Sequence, residues 1–108
     1  MAVHNVQVVQ VQGNLEWRFL RARGGNWVAV CDPLALTVQS PSFAALMEDI
    51  AETINAMLHE LVRSNDLQRF FRERGWQSAP IPAKVQDVWF DVPFVTRASD
   101  RDFEDSLR

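Results

Sequence analysis

A chain of 108 residues that is 47% hydrophobic and 23% charged has the length for one modest core and is too apolar for the disordered class. A net charge of −3 removes any global electrostatic case for nucleic acid and leaves only a local basic patch for that role. The lone cysteine, Cys31, excludes an intramolecular disulfide and paired-cysteine chemistry; set in an apolar run, it reads as a buried thiol suited to a reducing cytoplasm.

In chain order, MAVHNVQVVQ lacks the basic and long apolar regions of a signal peptide. No stretch reaches the roughly 20 apolar residues of a membrane span, so a cytoplasmic protein without a membrane partner is expected. NVQVVQVQ (5–12) is rich in β-formers, and LEWRFLRAR (15–23) alternates Leu15, Trp17 and Phe19 with Glu16 and Arg18. Turns at Gly13-Asn14 and at 24–26 would join these runs to WVAVC (27–31) as two successive hairpins, an antiparallel meander. Asp32-Pro33 interrupts the third run, which resumes as LALTV (34–38).

Ser42 is placed to cap a helix. Phe43, Leu46, Ile50, Ile54, Met57 and Leu61 then recur at three- and four-residue steps, the strongest periodicity in the chain. Glu48, Asp49, Glu52, Asn55, His59 and Arg63 fall on the remaining, polar side. SND (64–66) ends this helix and opens a short second one over 67–75, stopped by Gly75, with Trp76 as a local anchor and 78–83 as a stiff linker. KVQDVWFDVPFV (84–95) reads as a last strand with Val88, Phe90, Val92 and Phe94 on one face, at an edge because of Pro93. Residues 96–108 form a polar tail in which only Phe103 and Leu107 offer weak docking. The fold class expected is therefore α+β. It comprises a mainly antiparallel three- or four-stranded sheet with one long helix on one face, a short second helix and a final edge strand. A single domain is expected over 1–95.

Candidate chemistry is sparse. His4 and His59 have no second ligand at metal spacing, and the serines suit turns and caps. Glu48 with Glu52, and Asp87 with Asp91, are four apart, but nothing converges either pair on a cation. No catalytic, metal-binding or cofactor-binding residue is assigned, and no cofactor is expected. Arg18, Arg21 and Arg23, with Arg69 and Arg72, offer a weak nucleic-acid surface interleaved with acids. Trp89, Asp91 and Val95 make the better interface, on the strand face opposite Phe90 and Val92, because tryptophan is enriched where binding energy concentrates.

The run GGNWVAVCDPLALTVQ, continued by SFAALMEDIAETINAML, resembles the HicB-like antitoxin family. The shared pattern is a strand of aromatic and small residues, a short proline segment, a second strand, a capped turn and one long helix. Ser42 stands at the family's capping threonine, and Ile50 and Ile54 stand at its buried helix positions. The resemblance covers about residues 15–63, with VWFDVPFV as the following strand. Gln39-Ser40-Pro41 departs from the family's glycine-containing turn, Ala44-Ala45 replace common acids, and 96–108 holds no DNA-binding module. The resemblance implies a partial double-stranded-RNA-binding-like topology and a non-enzymatic domain that occludes a small, basic, RNA-cleaving toxin. It also implies self-association, here a homodimer hiding Trp89 or shielding the last strand's edge. A nucleic-acid-binding regulator using the arginines and an orphan structural or oligomerisation domain are the alternative functions.

Overall fold

The structure, a computed structural model, describes residues 6–99. Its strands are β1 (Gln7–Gln12), β2 (Leu15–Arg21), β3 (Trp27–Cys31), β4 (Leu36–Ser40), β5 (Gln77–Ser78), β6 (Val88–Asp91) and β7 (Phe94–Ala98). Two helices, α1 (Phe43–Arg63) and α2 (Leu67–Arg74), lie between β4 and β5. The fold is α+β with two mixed sheets, one ordered β4-β3-β2-β7 and the other β5-β1-β6. The chain groups into two compact units: Asn14–Thr53 with the residues from Phe94 onward, and the residues up to Gly13 with Ile54–Pro93.

In the four-stranded unit, β2, β3 and β4 form the anticipated antiparallel meander, and β7 runs parallel to β2, with Leu15 opposite Phe94 and Phe19 opposite Ala98. Thr96–Ala98, expected in the tail, are thus the end of a strand; residues 100–108 of that tail, with Phe103 and Leu107, and His4 lie outside the described residues. The β2–β3 reversal rests on Gly24 and Gly25, both at positive φ (96° and 94°), which only glycine adopts without cost. Asp32–Leu34 is a 3-10 turn rather than an interruption within one strand. Pro33 sits in its first turn, where no N–H is needed, and Ala35 at φ 54° completes the reversal into β4.

One face of this sheet carries Trp17, Ala29 and Cys31, all fully buried together with Leu46 and Ile50 of α1. Phe43 at the start of α1 meets Phe19 and Trp27 edge-on, with ring centroids 5.1 and 5.3 Å away. Ser42 does cap the helix, accepting the Ala45 N–H at 3.1 Å, and the buried Ser40 hydroxyl donates to Asp49. Among the described residues the Trp17 indole N–H has no hydrogen-bond partner, a desolvation cost of roughly 1–3 kcal/mol set against burial of the whole ring. Leu20, Ala22 and Val28 form a smaller buried cluster, with Val30 packed against it.

In the three-stranded unit, β1 does not form a hairpin with β2. It pairs parallel to β6, Gln7 opposite Val88 and Gln10 opposite Asp91, and antiparallel to the short β5. The final run is therefore two strands, broken at Val92-Pro93, both at sheet edges and both in parallel pairs; the sheets are less antiparallel than the sequence suggests. Gly13 is not at positive φ, so it lacks the backbone of a tight hairpin turn. Its role is space: a Cβ there would lie 2.5 Å from the Trp76 indole.

The second half of α1 buries Ile54 and Leu58, whereas Met57 and Leu61 of the expected stripe are half-buried. The buried positions 46, 50, 54 and 58 follow a strict four-residue row, one of the two ridges a helix surface offers. Asn65 at φ 62° breaks α1, and Gly75 at φ 69° ends α2, its N–H bonded to the last carbonyls. Trp76 is buried against Phe70, edge-on at 5.3 Å, and against Phe71. Replacing Gly13 with Ala forces the indole or the backbone to move. We expect Gly13→Ala to lower stability by about 1–3 kcal/mol in chemical denaturation, with a changed Trp76 emission; an unaltered midpoint contradicts this packing.

Candidate functional site

The β1–β6 ladder sorts its residues onto two faces by strand alternation. Val9, Val11, Val88, Phe90 and Val92 are buried on one. The other carries Val8, 56% exposed, directly opposite the half-buried Trp89, and Gln10 opposite the exposed Asp91. Val6, just before the strand, is 60% exposed. Val6, Val8 and Trp89 are thus the apolar residues of this face, with Gln10 and Asp91 beside them. Val95 is 59% exposed but belongs to the other unit, on β7 opposite Glu16, beside the Arg97–Glu16 ion pair at 3.3 Å. The expected trio is thus divided, with Trp89 and Asp91 in one unit and Val95 in the other.

The outer edge of β6 is closed by side chains. Phe90 donates its backbone N–H to Asn55 Oδ1 at 2.8 Å, and His59 Nε2 lies 2.7 Å from the Val88 carbonyl oxygen. That carbonyl can only accept, so the proton sits on Nε2. Val88 and Phe90 are two residues apart on a strand, and Asn55 and His59 are one turn apart on α1, so both pairs share a side. The His59 ring also meets Phe90 edge-on at 5.2 Å. His59 is therefore not on a solvated helix face. The strand edge that a homodimer was expected to shield is already occupied by α1 at these two residues.

Three of the arginines are engaged with other side chains. Arg18 holds Asp32 through Nε at 2.9 Å and Nη2 at 3.0 Å. This hydrogen bonding raises the Arg18 pKa and holds the Asp32 carboxyl below its ordinary value. Arg21 lies over the Trp27 ring at 5.4 Å, and Arg69 pairs with Asp66 at 2.8 Å. Arg23 and Arg72 are exposed and have no ion pair among the described residues. Arg18, Arg21 and Arg23 belong to one unit, Arg69 and Arg72 to the other. Asp87 is in a 3-10 turn and Asp91 at the end of β6, so they do not share a strand as the sequence suggested. Burial pushes the Cys31 thiol pKa up, away from a nucleophilic thiolate.

A cleft of about 670 Å³ was missed in the sequence. It lies in the three-stranded unit between α2, through Gln68, Phe71 and Arg72, and the segment from Trp76 to Ile81 that reads as a mere linker. Its available signal was the basic character of 67–74 next to an aromatic and a proline-bounded run. Among the described residues, no group of three or more His, Cys, Asp or Glu is placed to hold a metal ion, and no helix is long and apolar enough to cross a membrane. Compared with known proteins, the chain matches no family model, no curated protein and no solved structure.

Among the described residues the Phe90 amide has Asn55 as its acceptor, and removing that side chain strands the donor. We expect Asn55→Ala to cost about 1–3 kcal/mol and to speed hydrogen exchange at Phe90 more than at neighbouring β6 amides. Uniform exchange along β6 in the variant would mean that the clamp does not hold the edge.

Proposed function

We propose that this chain is a non-enzymatic protein-binding domain that docks partners on the exposed β1–β6 face around Trp89. The observation that carries the reading is the apolar cross-strand pair of the exposed Val8 and the half-buried Trp89, with Asp91 and Gln10 at its margin. A large amphipathic ring held on a sheet supplies contact area at low entropic cost, which suits it to anchor an interface. The HicB-type resemblance gives the partner class: a small basic RNA-cleaving toxin, to which a chain of net charge −3 is electrostatically complementary. The β3–turn–β4–capped-helix arrangement over 27–63 is in keeping with that resemblance. A homodimer through the same face is part of the proposal. It rests on side-chain packing, since α1 closes the β6 edge. A cytoplasmic location belongs to the same reading.

Sedimentation equilibrium of wild type and Trp89→Glu, alone and with a small basic RNA-cleaving toxin of the HicB-partner type, tests it. We expect a wild-type dimer at tens of micromolar, displaced or joined by the partner. Both associations should be weakened more than tenfold by Trp89→Glu while the fold is kept. A wild type that stays monomeric and leaves the partner unbound overturns the proposal, and an unchanged variant moves the interface off this face.

A further inference from the structure

The cleft beside α2 combines three features that the docking face does not use. The first is a strand edge with no partner strand among the described residues. β5 pairs with β1 through Gln77 opposite Gln12 and Ser78 opposite Val11, and Ala79 donates its N–H to Gln10 O at 3.1 Å. Hydrogen-bonded and non-hydrogen-bonded pairs alternate along an antiparallel ladder. Residues 77 and 79 therefore turn their backbone groups to β1, while Ser78, a lining residue of the cleft, turns its N–H and C=O outward.

The second feature is a cation. Within Leu67–Arg74 three arginines stand against one glutamate, a basic helix in a chain of net charge −3. Arg69 is held by Asp66, and Arg74 lies over the Phe70 ring at 3.9 Å. Arg72 has neither kind of partner among the described residues and lines the cleft. The third is an apolar lining from Phe71, Trp76, Pro80 and Ile81.

We infer that this cleft binds an acidic peptide segment of a partner protein in extended conformation. The segment adds to the outer edge of β5 at Ser78, sets an aromatic or aliphatic side chain against Trp76, and presents a carboxylate to Arg72. Strand addition supplies backbone hydrogen bonds, while alternate side chains give specificity. A guanidinium without a competing intramolecular anion favours a carboxylate over a neutral group. Side chains two residues apart share a face of an extended peptide, so the motif is an acid two positions from an apolar residue. This site is independent of the Trp89 face.

The test is selection of a displayed library of random octapeptides on the full chain, followed by anisotropy titration of the enriched peptides. Two variants discriminate. Arg72→Glu reverses the charge; Ser78→Pro removes the outward N–H without taking a hydrogen bond from the β1–β5 ladder. We expect enrichment of the acid–x–apolar motif and at least tenfold weaker binding to each variant. Circular dichroism and thermal midpoints should match wild type within the small change of a surface substitution, and Trp89→Glu should bind as wild type. Failure to enrich any peptide on wild type over Arg72→Glu overturns the inference. So does enrichment of peptides lacking the acid, or binding indifferent to both substitutions in folded protein.

Discussion

Each sheet is closed by a strand from the far end of the chain, and this long-range parallel pairing is the constraint from which most other features follow. β1 and β2 arrive first, yet their parallel partners, β6 and β7, come after both helices. Parallel strands cannot be joined by a tight turn; they require a crossover, which here runs from β2 to the turn at Asp87 for the β1–β6 pair and from β3 through β6 for the β2–β7 pair. The entropy of closing such loops must be met before the ladders form. The meander β2–β3–β4, whose turns are local, is consequently the element best placed to form early. The same constraint gives α1 its second task. A late strand added at a sheet edge leaves one side unpaired, and Asn55 and His59 satisfy that side of β6 with side chains instead of another strand.

Legibility in the sequence followed the range of the interaction. The β2–β3 turn, the Ser42 cap, the length of α1 and the Gly75 stop are written in a few adjacent residues, and each is where the pattern places it. Gly13-Asn14 has the composition of a hairpin turn, but glycine also serves where another group approaches closely. The approaching group, Trp76, is 63 residues away. Nothing local distinguishes those uses. The exchange of Met57 for Leu58 has a similar origin: both fit a three/four-residue rhythm, and only the packed neighbours decide which ridge is buried. His59 was misplaced with it, because a shift of one position rotates the deduced face by about 100°.

Of the candidate interface residues, Trp89 was legible because strand alternation survives whatever the strand pairs with; it points away from Phe90 in any register. Val95 was grouped with it on the assumption of one continuous strand, which Val92-Pro93 breaks. The arginines show the opposite failure. Counting charges cannot reveal that Arg18 is held by Asp32, fourteen residues on, across the β2–β3 pair and its turn. The cleft beside α2 was hidden for a further reason: its second wall is the segment from Trp76 to Ile81, whose two-residue strand has no periodicity to announce it.

The two candidate surfaces of the three-stranded unit differ in which groups can do the binding. Along β6 the backbone edge is filled at Val88 and Phe90, so recognition on that strand must come through its exposed face, by area and shape around Trp89. Such contacts are tolerant of sequence and sensitive to the loss of one large ring. At β5 a backbone pair is on offer, but only from Ser78; two residues of strand cannot hold a partner by ladder bonds alone. Whatever binds there must draw most of its free energy from Arg72 and the aromatic lining, with the strand edge fixing direction and register. The two proposals thus use different parts of one sheet, the face around Trp89 and the opposite edge at Ser78, and call for partners of different chemistry.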